Sequence, residues 1–340
     1  MKWVGRVGAI LVLAMAVVVF SVHSYLHAPS NISEEGLEFT INAGDSISRV
    51  AKRLENLSLL SQPKLWVIYA RLSNKTTIRA GEYRLPEGVS PNEMLSIFRS
   101  GKVLSYTVTL LEGWTFREVL AHLHAQDKIK KTLLSLTNNE ILKKLKLIEK
   151  HPEGLFFPDT YQYQAGDSDR TVLLRAYEKM KKVLAAEWFL RAENLPYKTS
   201  YDALIMASII ERESGQAMER EKIAGVFVRR LALKMRLQTD PTVIYGLGDE
   251  YKGNLRRRHL KQPSPYNTYL IKGLPPTPIA LPGRKAIHGA LHPDSGNALY
   301  FVAKGDGSHY FSASLDEHNK AVRQYQIDQR RGNYRSAPER

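Results

Sequence analysis

Sixteen consecutive residues near the N-terminus, Val7 to Val22, carry no charge and are mostly Val, Leu, Ala and Ile. With its flanks the run makes a helix from about Trp3 to Leu26, close to the ~20 residues that a bilayer crossing needs. Lys2 and Arg6 precede it, so the positive-inside bias places the N-terminus in the cytoplasm and everything after Val22 beyond the inner membrane. A cleaved signal peptide is the competing reading. The apolar core is long for one, and no clean Ala-x-Ala site follows it.

This segment reframes the composition. The formal net charge is +15, which would suit a nucleic-acid partner, but a chain exported from the cytoplasm does not meet nucleic acid. The charge must serve a membrane surface, an anionic wall polymer or solubility. There is no cysteine, which excludes a disulfide framework and a thiol nucleophile. His122 and His124 lie two apart on an expected helix and point away from each other, so they make poor metal partners. No metal or cofactor is expected.

After a polar linker at 27–36, Leu37–Ile41 alternates as a strand. Gly44-Asp45-Ser46 leads into a helix with Ile47, Val50, Ala51 and Leu54 on one face. A second helix is expected over Lys64–Leu72, with Leu65, Ile68, Tyr69 and Leu72 inward, and a strand at Gly81–Leu85. This order is similar to a LysM module, which binds N-acetylglucosamine-containing glycans; a plain α/β spacer is the alternative. Ser90-Pro-Asn-Glu93 and Thr115-Phe-Arg-Glu118 are capping boxes that open helices. Val103–Leu110 reads as a strand, Lys128–Lys150 as a basic amphipathic helix, and Asp169–Ala192 as a long helix. Between the last two, Glu153-Gly-Leu-Phe-Phe-Pro-Asp-Thr-Tyr161 places aromatics beside Gly and Pro. They are either core or a surface for stacking on sugar rings.

The chemistry concentrates further on. Asp202 to about Ser214 is a helix that is apolar nearly all round until Glu211-Arg212-Glu213, so it is buried. A carboxyl at the end of such a run is partly desolvated and meets the negative end of the helix dipole, and both raise its pKa toward the range useful to a general acid. Ser208 lies one turn before Glu211, whereas Glu213 projects about 200° away from it, so the two acids do not form a facing pair of the kind a glycosidase uses. Asp240 reads as the N-cap of a short helix. Ser264–Gly283 holds five prolines together with Tyr266, Asn267, Thr268 and Tyr269, and long irregular segments inside a domain tend to be functional. A 286–290 helix, a 299–303/309–312 hairpin, a 317–330 helix and a frayed tail complete the chain.

Taken together, Glu153–Tyr161, Ala207-Ser-Ile-Ile-Glu-Arg-Glu213, Met235-Arg-Leu-Gln-Thr-Asp-Pro-Thr-Val-Ile-Tyr-Gly-Leu-Gly248, Tyr266–Tyr269 with Gly273-Leu-Pro-Pro276, and Tyr300-Phe-Val with Glu317-His-Asn319 resemble the endolytic murein transglycosylase (YceG-like) family. Ser214 stands where Thr is common in that family. The resemblance implies cleavage of the MurNAc–GlcNAc β-1,4 bond inside nascent peptidoglycan strands, leaving 1,6-anhydro-MurNAc ends and stopping strand elongation. It also implies association with peptidoglycan synthases. The family's acid is mapped onto Glu211, with Ser208, Gln238, Thr239, Tyr266 and Asn267 positioning the sugar. Such a reaction needs one carboxyl, because the substrate's own C6 hydroxyl attacks.

The expectation is therefore an α+β protein. Residues 1–26 form a transmembrane helix, 27–36 a linker, 37–105 a LysM-like module with a connecting helix, 106–330 a larger catalytic domain and 331–340 a tail. The enzyme would be anchored in the inner membrane and act in the periplasm. A muramidase-type hydrolase and a non-catalytic wall-binding division protein are the alternatives.

Overall fold

The computed structural model describes residues 2–213 and 217–328. Ser214 and the 331–340 tail lie outside them. The chain divides into two compact units, one holding the residues up to Tyr106 with Gln162–Asp167, the other Thr107–Tyr161 with the residues from Ser168 onward. Both mix helices with short two-stranded ribbons.

The first unit begins with a single helix, Lys2–His27, whose Arg6–His27 stretch is long and apolar enough to cross a membrane. Leu11, Val12 and Phe20 are exposed along it. Its last turn is not: Leu26 is buried in the core of the unit, with Val22 and Tyr25 packed beside it. The 27–36 stretch continues this packing, since Ile32 is buried and Ser30 N–H donates to Val89 O.

Strands Leu37–Ile41 and Gly81–Leu85 pair antiparallel, Leu37 opposite Leu85 and Phe39 opposite Tyr83. Between them run the helices Ile47–Asn56, capped by Ser46, and Pro63–Leu72. The first buries Ile47, Val50, Ala51 and Leu54, as its spacing predicts. The second buries Trp66, Val67 and Ala70 instead of the expected set, leaving Ile68 and Leu72 outside. Trp66 decides the matter. It is the largest apolar surface on the helix, and its indole N–H finds a buried acceptor in Pro91 O at 2.8 Å. The helix Pro91–Ser100 starts on the Ser90–Glu93 capping box and stops at left-handed Gly101.

In the second unit, Thr115 and Glu118 form the second capping box, opening Phe116–His124. The expected helix over Lys128–Lys150 shrinks to Asn138–Leu145. Upstream of it the backbone is bound to a buried carboxylate: Asp169 accepts from the N–H groups of Thr132 (3.0 Å) and Leu133 (2.9 Å) and from the Thr132 hydroxyl (2.5 Å). Asp169 also meets His124 Nε2 at 3.1 Å, while His122 packs edge-on against Trp114. Phe156 and Phe157 are buried, Phe156 stacking on Phe116, so this aromatic run is core rather than a sugar-stacking surface. The helices Asp169–Phe189, Ser200–Glu213, Arg220–Ala232 and Arg284–Leu291 form the centre of the unit, the last packing against all three others. The closing hairpin pairs Tyr300–Ala303 with His309–Ser312, and Leu315–Val322 follows.

Candidate active site

The helix Ser200–Glu213 opens on a reciprocal cap. Asp202 N–H donates to the Thr199 hydroxyl, and the Asp202 carboxylate accepts from Thr199 N–H. From Ala203 to Glu211 every side chain is buried. The helix turn then sends its two acids to different places, as their spacing requires.

Glu211 points inward and is 4% exposed. Arg220 Nη2 donates to its Oε1 at 2.8 Å, and Gly283 N–H donates to its Oε2 at 3.0 Å. Arg220 is itself buried and also lies 3.7 Å from Glu112. Glu211 thus joins the helix to the following helix and to the proline-rich segment, and it lines neither of the two larger cavities of this unit.

Glu213 is half-buried and faces a cavity of about 770 Å³, together with Gln238, Asp240, Tyr269 and the Tyr300–Ala303 strand. The Thr239 hydroxyl donates to its Oε1. That hydroxyl is aimed by a small buried network. Thr239 N–H donates to Thr268 Oγ1 at 3.0 Å, Thr268 Oγ1 lies 2.8 Å from Thr242 Oγ1, and the Thr242 hydroxyl donates to Thr239 O at 2.8 Å. Burial pushes the Glu213 carboxyl up to about 7; the Thr239 hydrogen bond opposes this and the Asp240 charge adds to it. Such a group is near half protonated at neutral pH.

The other expected site residues separate. Ser208 is fully buried, its hydroxyl donating to Ile205 O and accepting from Ile279 N–H, so it fastens the proline-rich segment to the helix. Asn267 is equally committed. Its Nδ2 donates to the carbonyls of His259, Leu260 and Gln262, and its Oδ1 accepts from Tyr269 N–H. An amide so fully used has nothing left for a sugar. Gln238 lines the cavity in a left-handed conformation at φ 54°. Thr239 reaches Glu213, and it rather than Asp240 is the N-cap of the Asp240–Leu247 helix. Asp240 begins that helix and accepts from the Tyr269 hydroxyl at 2.6 Å.

Tyr266 belongs to a second cavity of about 860 Å³, with Glu153, Tyr245 and Arg117. The two cavities share Arg212, Pro241, Ile244 and Tyr251, so they adjoin along one ridge. Glu153 is buried, accepting from Phe116 N–H at 2.8 Å and from the Tyr245 hydroxyl at 3.0 Å. Burial pushes its carboxyl up to about 7 against those two hydrogen bonds. The sequence offered a signal for it, an acid directly preceding Gly-Leu-Phe-Phe.

Among the described residues, Glu187, His288 and His292 are grouped closely enough to hold a metal ion. Glu187 already accepts from Arg284 at 2.6 Å and pairs with His288 at 2.9 Å. The ring nitrogens of His292 face the carbonyls of Leu190 and His288. None of the three lines either cavity.

Comparison with known proteins gives a consistent answer. The endolytic murein transglycosylase of Bacillus subtilis (strain 168) is 32% identical over 323 residues, spanning 89% of this chain and 88% of its own. The endolytic murein transglycosylase of Streptococcus pneumoniae serotype 2 (strain D39) is 25% identical over 84% of this chain, which spans 57% of that longer protein. The crystal structure at 2.6 Å of the putative yceG-like protein lmo1499 from Listeria monocytogenes superposes with a TM-score of 0.53 at 31% identity. The match covers 85% of this chain and 99% of that one. The YceG-like family model matches residues 39–324, which include Glu213, Gln238, Thr239 and Tyr269, so the chain belongs to the YceG-like family.

Proposed function

We propose that the protein is an endolytic murein transglycosylase that cleaves peptidoglycan strands with Glu213, rather than Glu211, as its acid and base. The observation that carries the choice is the opposite placement of the two carboxyls. Glu213 faces a cavity large enough for sugar rings, whereas Glu211 is held inside by Arg220 and Gly283. The relatives' names supply the reaction class.

Protonated Glu213 gives its proton to the glycosidic oxygen as the bond from the anomeric carbon breaks, and the sugar acquires oxocarbenium character. The C6 hydroxyl of the same residue then attacks that carbon and returns its proton to the Glu213 carboxylate. The product is a 1,6-anhydro end, no water is consumed, and the enzyme is ready for another turn. Thr239 holds the carboxyl in register, and Gln238 and Tyr269 present polar groups beside it. The adjoining cavity, with the Tyr245 and Tyr266 rings 4.9 Å apart, suits the strand on the other side of Arg212. Gln238, Thr239 and Tyr266 stay in the proposed binding set; Ser208 and Asn267 move to structural roles.

The first unit is read as a LysM-like module on its strand–helix–helix–strand order, the Lys2–His27 helix as an inner-membrane anchor, and the second unit as periplasmic and close to the machinery that synthesises the strands. Digestion of purified peptidoglycan followed by mass spectrometry tests the reaction. An anhydro end is lighter than a hydrolysed end by one water, and reducing ends would make the protein a muramidase, with Asp240 beside Glu213 as its second carboxylate. Sacculus binding with no product would leave a wall-binding protein. Normal anhydro yields from Glu213→Gln would remove that residue from the mechanism.

A further inference from the structure

The helix Pro63–Leu72 has two apolar faces. Trp66, Val67 and Ala70 fill the core of the first unit. Leu65 is only half-buried, and Ile68 and Leu72 are 51% and 85% exposed on the outside. Leu57, in the turn before the helix, is 51% exposed as well. Exposed leucines scattered singly need no explanation, but here three apolar side chains recur at helical spacing along one outer stripe. The stripe is also cationic at its margins: residues 63–79 include Lys64, Arg71, Lys75 and Arg79 and no Asp or Glu.

The place of this stripe in the fold says what covers it. The helix is tied at its start to the end of the apolar span. The Tyr25 hydroxyl donates to Gln62 O at 3.2 Å and accepts from Gln62 N–H at 3.3 Å, and Gln62 is the N-cap of the helix. Leu26 is buried in the same core as Trp66. A helix of ten residues is about 15 Å long. It therefore begins where the span leaves the hydrocarbon, and its far end lies within about 15 Å of that level. An apolar stripe edged by Lys and Arg at such a level matches the interfacial layer of a bilayer containing anionic lipid.

We infer that the outer face of the Pro63–Leu72 helix, with Leu57, rests in the interfacial layer of the membrane that the N-terminal helix crosses, Lys64 and Arg71 meeting anionic headgroups. The inference rests on the reading of Arg6–His27 as a membrane span. It gives the first unit a fixed face toward lipid, independent of any glycan the unit binds elsewhere.

The chain has no cysteine, so single cysteines can carry a fluorophore without background. Full-length protein is reconstituted in nanodiscs of phosphatidylcholine and phosphatidylglycerol, and labels at Leu72→Cys, Ile68→Cys, Val18→Cys and Ala43→Cys are quenched with spin-labelled lipids. Ala43 is exposed in the turn between the Leu37–Ile41 strand and the Ile47–Asn56 helix, outside the apolar stripe. Labels at 68 and 72 should be quenched by shallow spin labels at least about twofold more than the label at 43. The label at 18 should be quenched by deep ones. Charge reversal through Lys64→Glu with Arg71→Glu should lower quenching at 72 and leave 18 unchanged. Quenching at 68 and 72 no greater than at 43, with 18 still quenched, overturns the inference and spares the span. An unquenched label at 18 removes the span and the inference together. Disulfide-linked dimers through position 72 would assign the face to a second copy instead and overturn it as well.

Discussion

Glu213→Gln should cut cleavage by orders of magnitude and at the same time make the protein more stable above neutral pH. Burial pushes the Glu213 carboxyl from 4.5 up to about 7, so the folded state holds a proton that the unfolded chain has already released over that window. Folding is therefore favoured at the acid end, and the contribution is lost as pH rises from the ordinary carboxyl value through 7. The shift corresponds to about 3 kcal/mol between the two ends of the window. Glutamine keeps an acceptor for the Thr239 hydroxyl and removes the ionisation. Chemical denaturation of the full chain in detergent, at pH 5 and pH 8, should show the variant gaining on the parent by roughly 1–3 kcal/mol at pH 8 and by little at pH 5. Glu153, pushed to the same value, should contribute a pH dependence of the same sign in both parent and variant, so the test is the difference between them. Losing the acid should lower kcat/KM by about 10²–10⁴. In the parent, kcat/KM should fall on the alkaline side of about 7, tenfold per pH unit. A Glu213→Gln protein as active as the parent, or one whose stability relative to the parent does not change between pH 5 and pH 8, would refute the argument.

The companion substitution should behave in the opposite way. Glu211→Gln leaves the buried Arg220 guanidinium without its close counter-charge and should cost about 3 kcal/mol, read as a lower denaturation midpoint, while the protein that remains folded keeps cleaving. Asn267→Ala strips three backbone carbonyls of their donor and should destabilise by about 2 kcal/mol with KM unchanged. Gly154→Ala should also be damaging. Gly154 has φ +75°, and an added Cβ would lie 2.4 Å from a Pro278 carbon, so a loss of about 2 kcal/mol or more in denaturation is expected. Asp169→Asn should lower stability at neutral pH, and the difference from the parent should shrink as the pH falls. Burial raises that carboxyl, but hydrogen bonds from Thr132, Leu133 and Arg170 outweigh it and hold it below the usual range. Its contribution is present above the ordinary carboxyl value and is lost as pH falls through the lowered one. Acid titration of parent and variant by circular dichroism checks this.

Much of the fold was legible where the information is local. Ser90 with Glu93 and Thr115 with Glu118 mark helix starts three residues from their partners, and both boxes form. Strands 37–41 and 81–85 and the Ile47–Asn56 helix follow from alternation and spacing. What failed depends on distant partners. The Lys128–Lys150 stretch has helical periodicity, yet the Asp169 carboxylate decides the conformation of residues 132 and 133. On Pro63–Leu72 two apolar faces compete, and a proline carbonyl 25 residues downstream settles which turns inward. The same holds for the site. Helix geometry alone separates Glu211 from Glu213, but only Arg220 and Gly283 show which of them is inside. The Thr239–Thr268–Thr242 network was invisible because threonines 29 and 26 residues apart have no sequence pattern in common.

The burial of Leu26 bears on how this protein could be shed from a membrane. In many anchored proteins the tether and the folded body are separate, and a protease cutting between them frees an intact domain. Here a cut after His27 would remove Leu26 from the core and the Tyr25 hydroxyl from Gln62. On the reading of Arg6–His27 as a membrane span, release would therefore also strip the first unit of part of its core.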